Sequence, residues 1–139
     1  MRILGIDYGD ARIGISLSDE TGFLASPVES YKSVTMRQDI SYVASLAAKY
    51  SCGEIVVGLP LNMNGTEGPR AGKTRAFGNN LAKESGLNVV FVDERLTTVQ
   101  AERGFETTGV KKSKRKGIVD AAAAVIILQT YLDKKRSIL

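Results

Sequence analysis

The sequence predicts an α/β fold: a mixed five-stranded sheet, a three-strand antiparallel meander followed by parallel strands, flanked by helices. Three observations carry that expectation. Residues 2–31 hold three consecutive strand patterns separated by turns rich in Gly and Asp. Beyond them, apolar runs at 54–59 and 88–92 alternate with helical patterns, the order that builds parallel βαβ units. No repeat, low-complexity segment or linker interrupts the chain, so residues 1–139 are expected to form one domain.

The elements follow from local pattern. Residues 2–8 read as a buried strand, because the run Ile3-Leu4-Gly5-Ile6 suits coverage from both faces. Residues 12–18 alternate strictly and predict a half-buried strand. Asp19 to Gly22 form a turn, and residues 23–31 complete the meander. From Thr35 to Tyr50, Ile40, Val43, Ala44, Ala47 and Ala48 have the spacing of an amphipathic helix. Glu54 to Leu59 is a short apolar strand running into Pro60, and a polar, Gly-rich loop continues through Gly68. Pro69 suits the first position of a helix reaching about Ser85, which Gly86 closes. Asn88 to Val92 is a further buried strand, after which Thr97 or Thr98 is expected to cap a short helix to about Thr107. Residues 109–116 read as a basic loop and Gly117 to Lys134 as the last helix.

Composition narrows the chemistry. The chain contains no histidine, which excludes a Ser-His-Asp triad, a Cys-His pair and histidine-ligated zinc. Its single cysteine, Cys52, forms no internal disulfide and points to a reducing cytoplasm. No apolar run approaches the roughly 18 residues of a membrane helix, and the first residues lack a secretory pattern, so no membrane partner is expected. Nineteen basic residues against fifteen acidic ones give a net charge of +4, which suits a polyanionic partner. Hydrolysis in such a chain needs carboxylates, lysines, hydroxyls or a hard cation.

Three places in the sequence offer the carboxylates. Asp7 ends the first strand, where open α/β sheets bind ligands, though it also suits the start of the Tyr8-Gly9-Asp10 turn. Asp93 and Glu94 close the strand Val89–Val92; adjacent residues point to opposite faces, so only one of them can meet Asp7, and spacing alone does not choose. Asp120 opens a helix apolar nearly all round, with Ala123 and Ala124 one turn on. Carboxylates drawn together repel unless a divalent cation neutralises them, and oxygen-only donors select Mg²⁺ or Mn²⁺. The run Lys111, Lys112, Lys114, Arg115 and Lys116 precedes Asp120 and suits phosphate contacts, although such a run reads equally as a solvated loop. In the loop after Pro60, Asn62, Asn64 and Thr66 suit contacts to a phosphate or sugar backbone. The stretch Gly68–Thr74 has one residue too few between glycines for a Walker A loop.

Taken together, these segments resemble the YqgF/RuvX family, bacterial relatives of the Holliday-junction resolvase RuvC. The matching stretches are Gly5-Ile6-Asp7-Tyr8-Gly9 with Arg12-Ile13-Gly14, Val57 through Thr66, Asp93-Glu94-Arg95-Leu96-Thr97-Thr98, and Lys116 with Val119-Asp120-Ala121-Ala122-Ala123. The resemblance implies a ribonuclease H-like fold with Asp7, Glu94 and Asp120 as an acidic, metal-holding and catalytic site, and it selects Glu94 over Asp93. It further implies a cytoplasmic nuclease that matures the 5′ end of precursor 16S ribosomal RNA, with the ribosome as a partner and Arg12 among the nucleic-acid contacts. An older reading of the family is cleavage of branched DNA at Holliday junctions. A non-catalytic RNA- or ribosome-binding module is a reading of another class. The hairpin around Asp7-Tyr8-Gly9 also resembles the phosphate-binding hairpin of actin, Hsp70 and sugar kinases, but those enzymes enclose ATP between two such domains.

Overall fold

A computed structural model describes residues 1–97 and the helix 112–138, and within that helix the side chains of residues 121–137. The elements are β1 (Arg2–Tyr8), β2 (Arg12–Ser18), β3 (Ala25–Lys32), α1 (Met36–Lys49), β4 (Cys52–Leu59), α2 (Pro69–Ser85), β5 (Asn88–Asp93), a 3₁₀ turn (Glu94–Leu96) and α3 (Lys112–Ile138). The five strands form one sheet in the order β3-β2-β1-β4-β5. The β1–β2 and β2–β3 pairs are antiparallel, whereas β1–β4 and β4–β5 are parallel. This is the mixed sheet the sequence predicts. Among the described residues no helix is long and apolar enough to cross a membrane.

Strand alternation divides the core into two layers. Leu4, Ile6, Ile13, Ile15, Ile55 and Val57 pack with Val43 of α1 and with Phe77 and Leu81 of α2. On the other side Ile3 and Val56 pack with Ala123, Ile127, Leu128 and Leu132 of α3. β1 is therefore covered on both faces, as its unbroken apolar run requires. β2 departs from the half-buried expectation, because Gly14, Ser16 and Ser18 are buried too. Their small side chains let α3 lie close. The Ser16 hydroxyl donates to the Ala124 carbonyl at 2.8 Å, and the Ser18 Oγ accepts from the Ile3 amide at 2.8 Å. Each buried hydroxyl thus has a partner, without which its burial would be costly.

Gly5 marks the closest approach of α3. A Cβ there would stand 2.3 Å from Ser16 Oγ and 2.7 Å from Leu128 Cβ. Gly5→Ala is expected to destabilise the fold by about 1–3 kcal/mol, the usual cost of overpacking, read as a lower urea midpoint.

Several boundaries differ from the expectation for identifiable reasons. β3 starts at Ala25 rather than residue 23, because Asp19 Oδ1 accepts from the Phe23 and Leu24 amides at 2.8 and 3.1 Å and holds both in the turn. β4 starts two residues before Glu54: Ser51 takes a left-handed conformation (φ 54°), so the chain reverses at once and Cys52 pairs with Arg2. α2 begins at Pro69 and ends at Gly86 in the left-handed conformation (φ 71°), as expected. The last helix starts at Lys112 rather than Gly117, so the basic residues 112–116 are helical and not a loop. Lys and Arg are good helix formers, and one internal glycine costs only about 1 kcal/mol. It runs past Lys134 to Ile138, with Arg136 bonded to Asp133 and to the Phe23 carbonyl. Thr97 closes the 3₁₀ turn, and the helix expected from Thr97 or Thr98 to about Thr107 lies outside the described residues.

Candidate active site

Asp7 lies on the α3 side of the sheet, two positions beyond Gly5 on the same face of β1. It is 2% exposed, and its Oδ1 is sealed from solvent. The tight turn that follows is closed by the Gly9 amide donating to the Arg12 carbonyl at 3.0 Å. A Cβ on Gly9 would stand 2.6 Å from that carbonyl oxygen, so the turn requires glycine.

Glu94 reaches the same face from β5. Asp93 caps the 3₁₀ turn, its Oδ1 accepting from the Arg95 amide at 2.9 Å. The Thr97 amide and hydroxyl both return to the Glu94 carbonyl, at 3.1 and 2.8 Å. By alternation Glu94 falls on the face of Val92, which packs on the α3 layer, and it is buried to 1% exposure. Asp93 is spent differently, in an ion pair with Arg95 Nη2 at 2.8 Å that holds its carboxyl below the usual range. Of the two adjacent acids, Glu94 is the one the structure turns inward.

Between them lies β4. Ile6 pairs with Val57, which sets Asp7 beside Gly58, and Gly58 pairs with Val92, two residues before Glu94. A Cβ on Gly58 would stand 3.1 Å from Glu94 Oε2 and 2.4 Å from Ile127 Cδ1. Glycine here therefore keeps open the space into which the Glu94 carboxyl folds. Burial, reinforced by the charge of Asp93 and opposed by that of Arg70, pushes the Glu94 carboxyl up to about 7.

The third predicted acid, Asp120, lies on α3 one turn before Ala124. Its side chain is outside the described residues. The helix backbone runs antiparallel to β1: Leu132 packs near Ile3, and Leu128 and Ala124 pack at Gly5. The helix thus passes Gly5 at Ala124, one turn after Asp120 and two strand residues before Asp7. Lys112, Lys114, Arg115 and Lys116 lie on the preceding turns by backbone alone, and Lys111 lies outside the described residues.

The other predicted contacts have structural duties. Arg12 Nε donates to Ser30 Oγ at 2.8 Å and its Nη2 to the Ser30 carbonyl at 3.0 Å. Asn62, Asn64 and Thr66 bond to one another: Asn62 Nδ2 donates to Thr66 Oγ1 at 3.0 Å, and Thr66 Oγ1 to Asn64 Oδ1 at 2.6 Å. The loop they build comes preformed. Two further residues were not singled out from the sequence. Gly58 carried a signal, since a glycine inside a strand pattern often marks a close approach. Arg70 did too: it puts a cation in the first turn of α2, where the helix dipole disfavours one.

Solved structures fix the class. The chain superposes on Thermus thermophilus RuvC in complex with a Holliday junction substrate with a TM-score of 0.63 at 18% identity, covering 99% of this chain and 96% of that one. The fowlpox virus Holliday junction resolvase matches with a TM-score of 0.57 at 15% identity, covering 96% of this chain and 99% of that one. The fold is ribonuclease H-like, of the kind those resolvases share.

A family model described as "RuvX: Holliday junction resolvase" matches residues 1–134. A Ruminiclostridium cellulolyticum protein named "Putative pre-16S rRNA nuclease" is 47% identical over 135 residues, 96% of this chain and 95% of the relative. An Acetivibrio thermocellus protein of the same name is 45% identical and is covered, like this chain, over its full length. The chain belongs to the RuvX family.

Proposed function

We propose that this protein is a metal-dependent nuclease that hydrolyses phosphodiester bonds of structured RNA, trimming the 5′ end of precursor 16S rRNA. The observation that carries the reading is the pair of buried carboxylates, Asp7 and Glu94, brought from two strands to one face of the sheet across Gly58. The names of the 47% and 45% identical relatives supply the RNA.

The donor set fits a hard divalent cation. Asp7 and Glu94 offer only oxygen, and burial is the main cause that holds the Glu94 carboxyl high. Together with Asp120 they would hold Mg²⁺ or Mn²⁺, which when bound supplies an acidified water and neutralises charge on the phosphoryl oxygens. The chain's own residues set the stage. Gly58 keeps the carboxylate gap clear, with Ile127 packed beside it. Arg12, the preformed 62–66 loop and the basic residues Lys111, Lys112, Lys114, Arg115 and Lys116 serve the nucleic-acid backbone, placing the strand over the acidic edge.

The test compares precursor 16S rRNA with a four-way DNA junction, each with Mn²⁺, with EDTA and with an Asp120→Asn variant. Metal-dependent cutting of RNA alone, lost in the variant, is the expected result. Cutting of the junction alone would make the chain a resolvase. No cutting of either would favour a binding module.

A further inference from the structure

Around the acidic edge, three arginines each make two or more side-chain contacts. Arg75 grips Glu67 through Nε at 2.8 and 2.7 Å and through Nη2 at 2.7 Å, while also lying over the Phe91 ring. Arg95 grips Asp93 through Nε and Nη2 and reaches the Met63 carbonyl through Nη1. Arg12 is bonded to Ser30 through two nitrogens. Arg70 is different. The one hydrogen bond of its guanidinium among the described residues runs from Nη1 to Asp10 Oδ2 at 3.0 Å, leaving Nε and Nη2 without a partner there. Both members of the pair are solvent-accessible, the side chains 40% and 78% exposed. Such pairs are weak and easily exchanged.

Its position is the second observation. β4 ends at Leu59, and the 60–68 loop delivers the start of α2 to the same sheet edge where β1 ends at Tyr8. Asp10, on the turn just after β1, is at the rim of the site, three residues beyond Asp7. The positive charge of Arg70 acts on the Glu94 carboxyl and opposes the effect of its burial. A guanidinium presents a planar fork that matches two phosphate oxygens at once, geometry that Asp10 uses only in part.

We infer that Arg70 is a substrate-binding residue that takes a nucleic-acid backbone phosphate beside the acidic site, and that Asp10 is the placeholder it leaves on binding. The role rests on the nuclease reading above. Asp10 keeps the guanidinium extended towards the rim, and an arriving phosphate replaces a single exposed contact with a bidentate one. The two residues then have opposite effects on binding: Arg70 attracts the strand, and Asp10 competes with it.

The experiment measures affinity for a labelled RNA hairpin against KCl, in EDTA so that nothing is cut, for wild type, Arg70→Gln, Arg70→Lys and Asp10→Asn. Thermal melting checks the fold of each. Arg70→Gln is expected to weaken binding about five- to tenfold at 0.1 M salt and to reduce the log–log salt slope by about 0.7–0.9, the value of one phosphate contact. Arg70→Lys should recover the slope. Asp10→Asn should tighten binding about two- to fivefold, the worth of an exposed ion pair. In the cleavage assay with Mn²⁺, Arg70→Gln should raise KM far more than it lowers kcat. An unchanged salt slope in Arg70→Gln overturns the assignment. So does an Asp10→Asn variant that binds as weakly as Arg70→Gln, since the pair would then be only a brace between the turn and α2. A wild-type chain that holds no RNA removes the nuclease reading and Arg70's role with it. Wild-type binding matched by Arg70→Gln removes Arg70 alone.

Discussion

Asp7→Asn is expected to slow cleavage about a thousandfold while leaving the fold intact. The substitution keeps the volume of a side chain that is 2% exposed, so the packing of α3 over β1 has no reason to change. What it removes is one anionic oxygen donor from the pair flanking Gly58. Metal ions contribute several kcal/mol of transition-state stabilisation. At about 1.4 kcal/mol per factor of ten, losing most of that costs roughly three orders of magnitude. Single-turnover cleavage with saturating Mn²⁺ reads the rate, and thermal melting reads the fold. A folded Asp7→Asn protein that cuts at the wild-type rate would remove Asp7 from the site.

How far the site was legible in the sequence depends on the range of the forces that build it. Pro69 and Gly86 bound α2 as expected because both act through their own backbone dihedrals. The strand order follows from a meander joined to βαβ units, and that too is local information. The start of β3 was misplaced by a side-chain cap, with Asp19 taking the amides of Phe23 and Leu24 out of the sheet. The start of α3 was misplaced because a run of like charges reads as a loop, although its residues are good helix formers. Alternation left Asp93 and Glu94 equivalent; the choice follows from β5 turning Phe91 to the α1–α2 layer and Val92 to the α3 layer, which tertiary packing settles. The Arg70–Asp10 contact joins residues 60 positions apart, and no local pattern announces such a pair. Local rules thus place the elements at the correct edge, and the identity of the groups that face inward is settled by turns and tertiary contacts.

Glu94 gives the second large effect, and it is visible without any substrate. In the metal-free protein burial raises this carboxyl from 4.5 to about 7. The folded state therefore holds the proton more tightly than the unfolded chain. The neutral form is the one the fold favours, so this group's contribution is most favourable below pH 4.5 and is progressively lost as pH rises to about 7. At roughly 1.4 kcal/mol per pH unit, the full loss is about 3 kcal/mol. Glu94→Gln keeps the shape and abolishes the ionisation. In EDTA the variant is expected to unfold at a higher urea concentration than wild type at pH 8, by about 2–3 kcal/mol, and to match wild type near pH 4.5. Mn²⁺ at pH 8 should reverse the order, stabilising wild type through its carboxylate while leaving the amide variant almost unmoved. If the two proteins show parallel pH profiles in EDTA, the Glu94 charge is already compensated within the fold. If Mn²⁺ stabilises both equally, the cation is held without Glu94. The same titration thus separates a carboxyl that is merely buried from one whose burial is relieved by a metal, because only the second gains stability from the ion at the pH where the proton is gone.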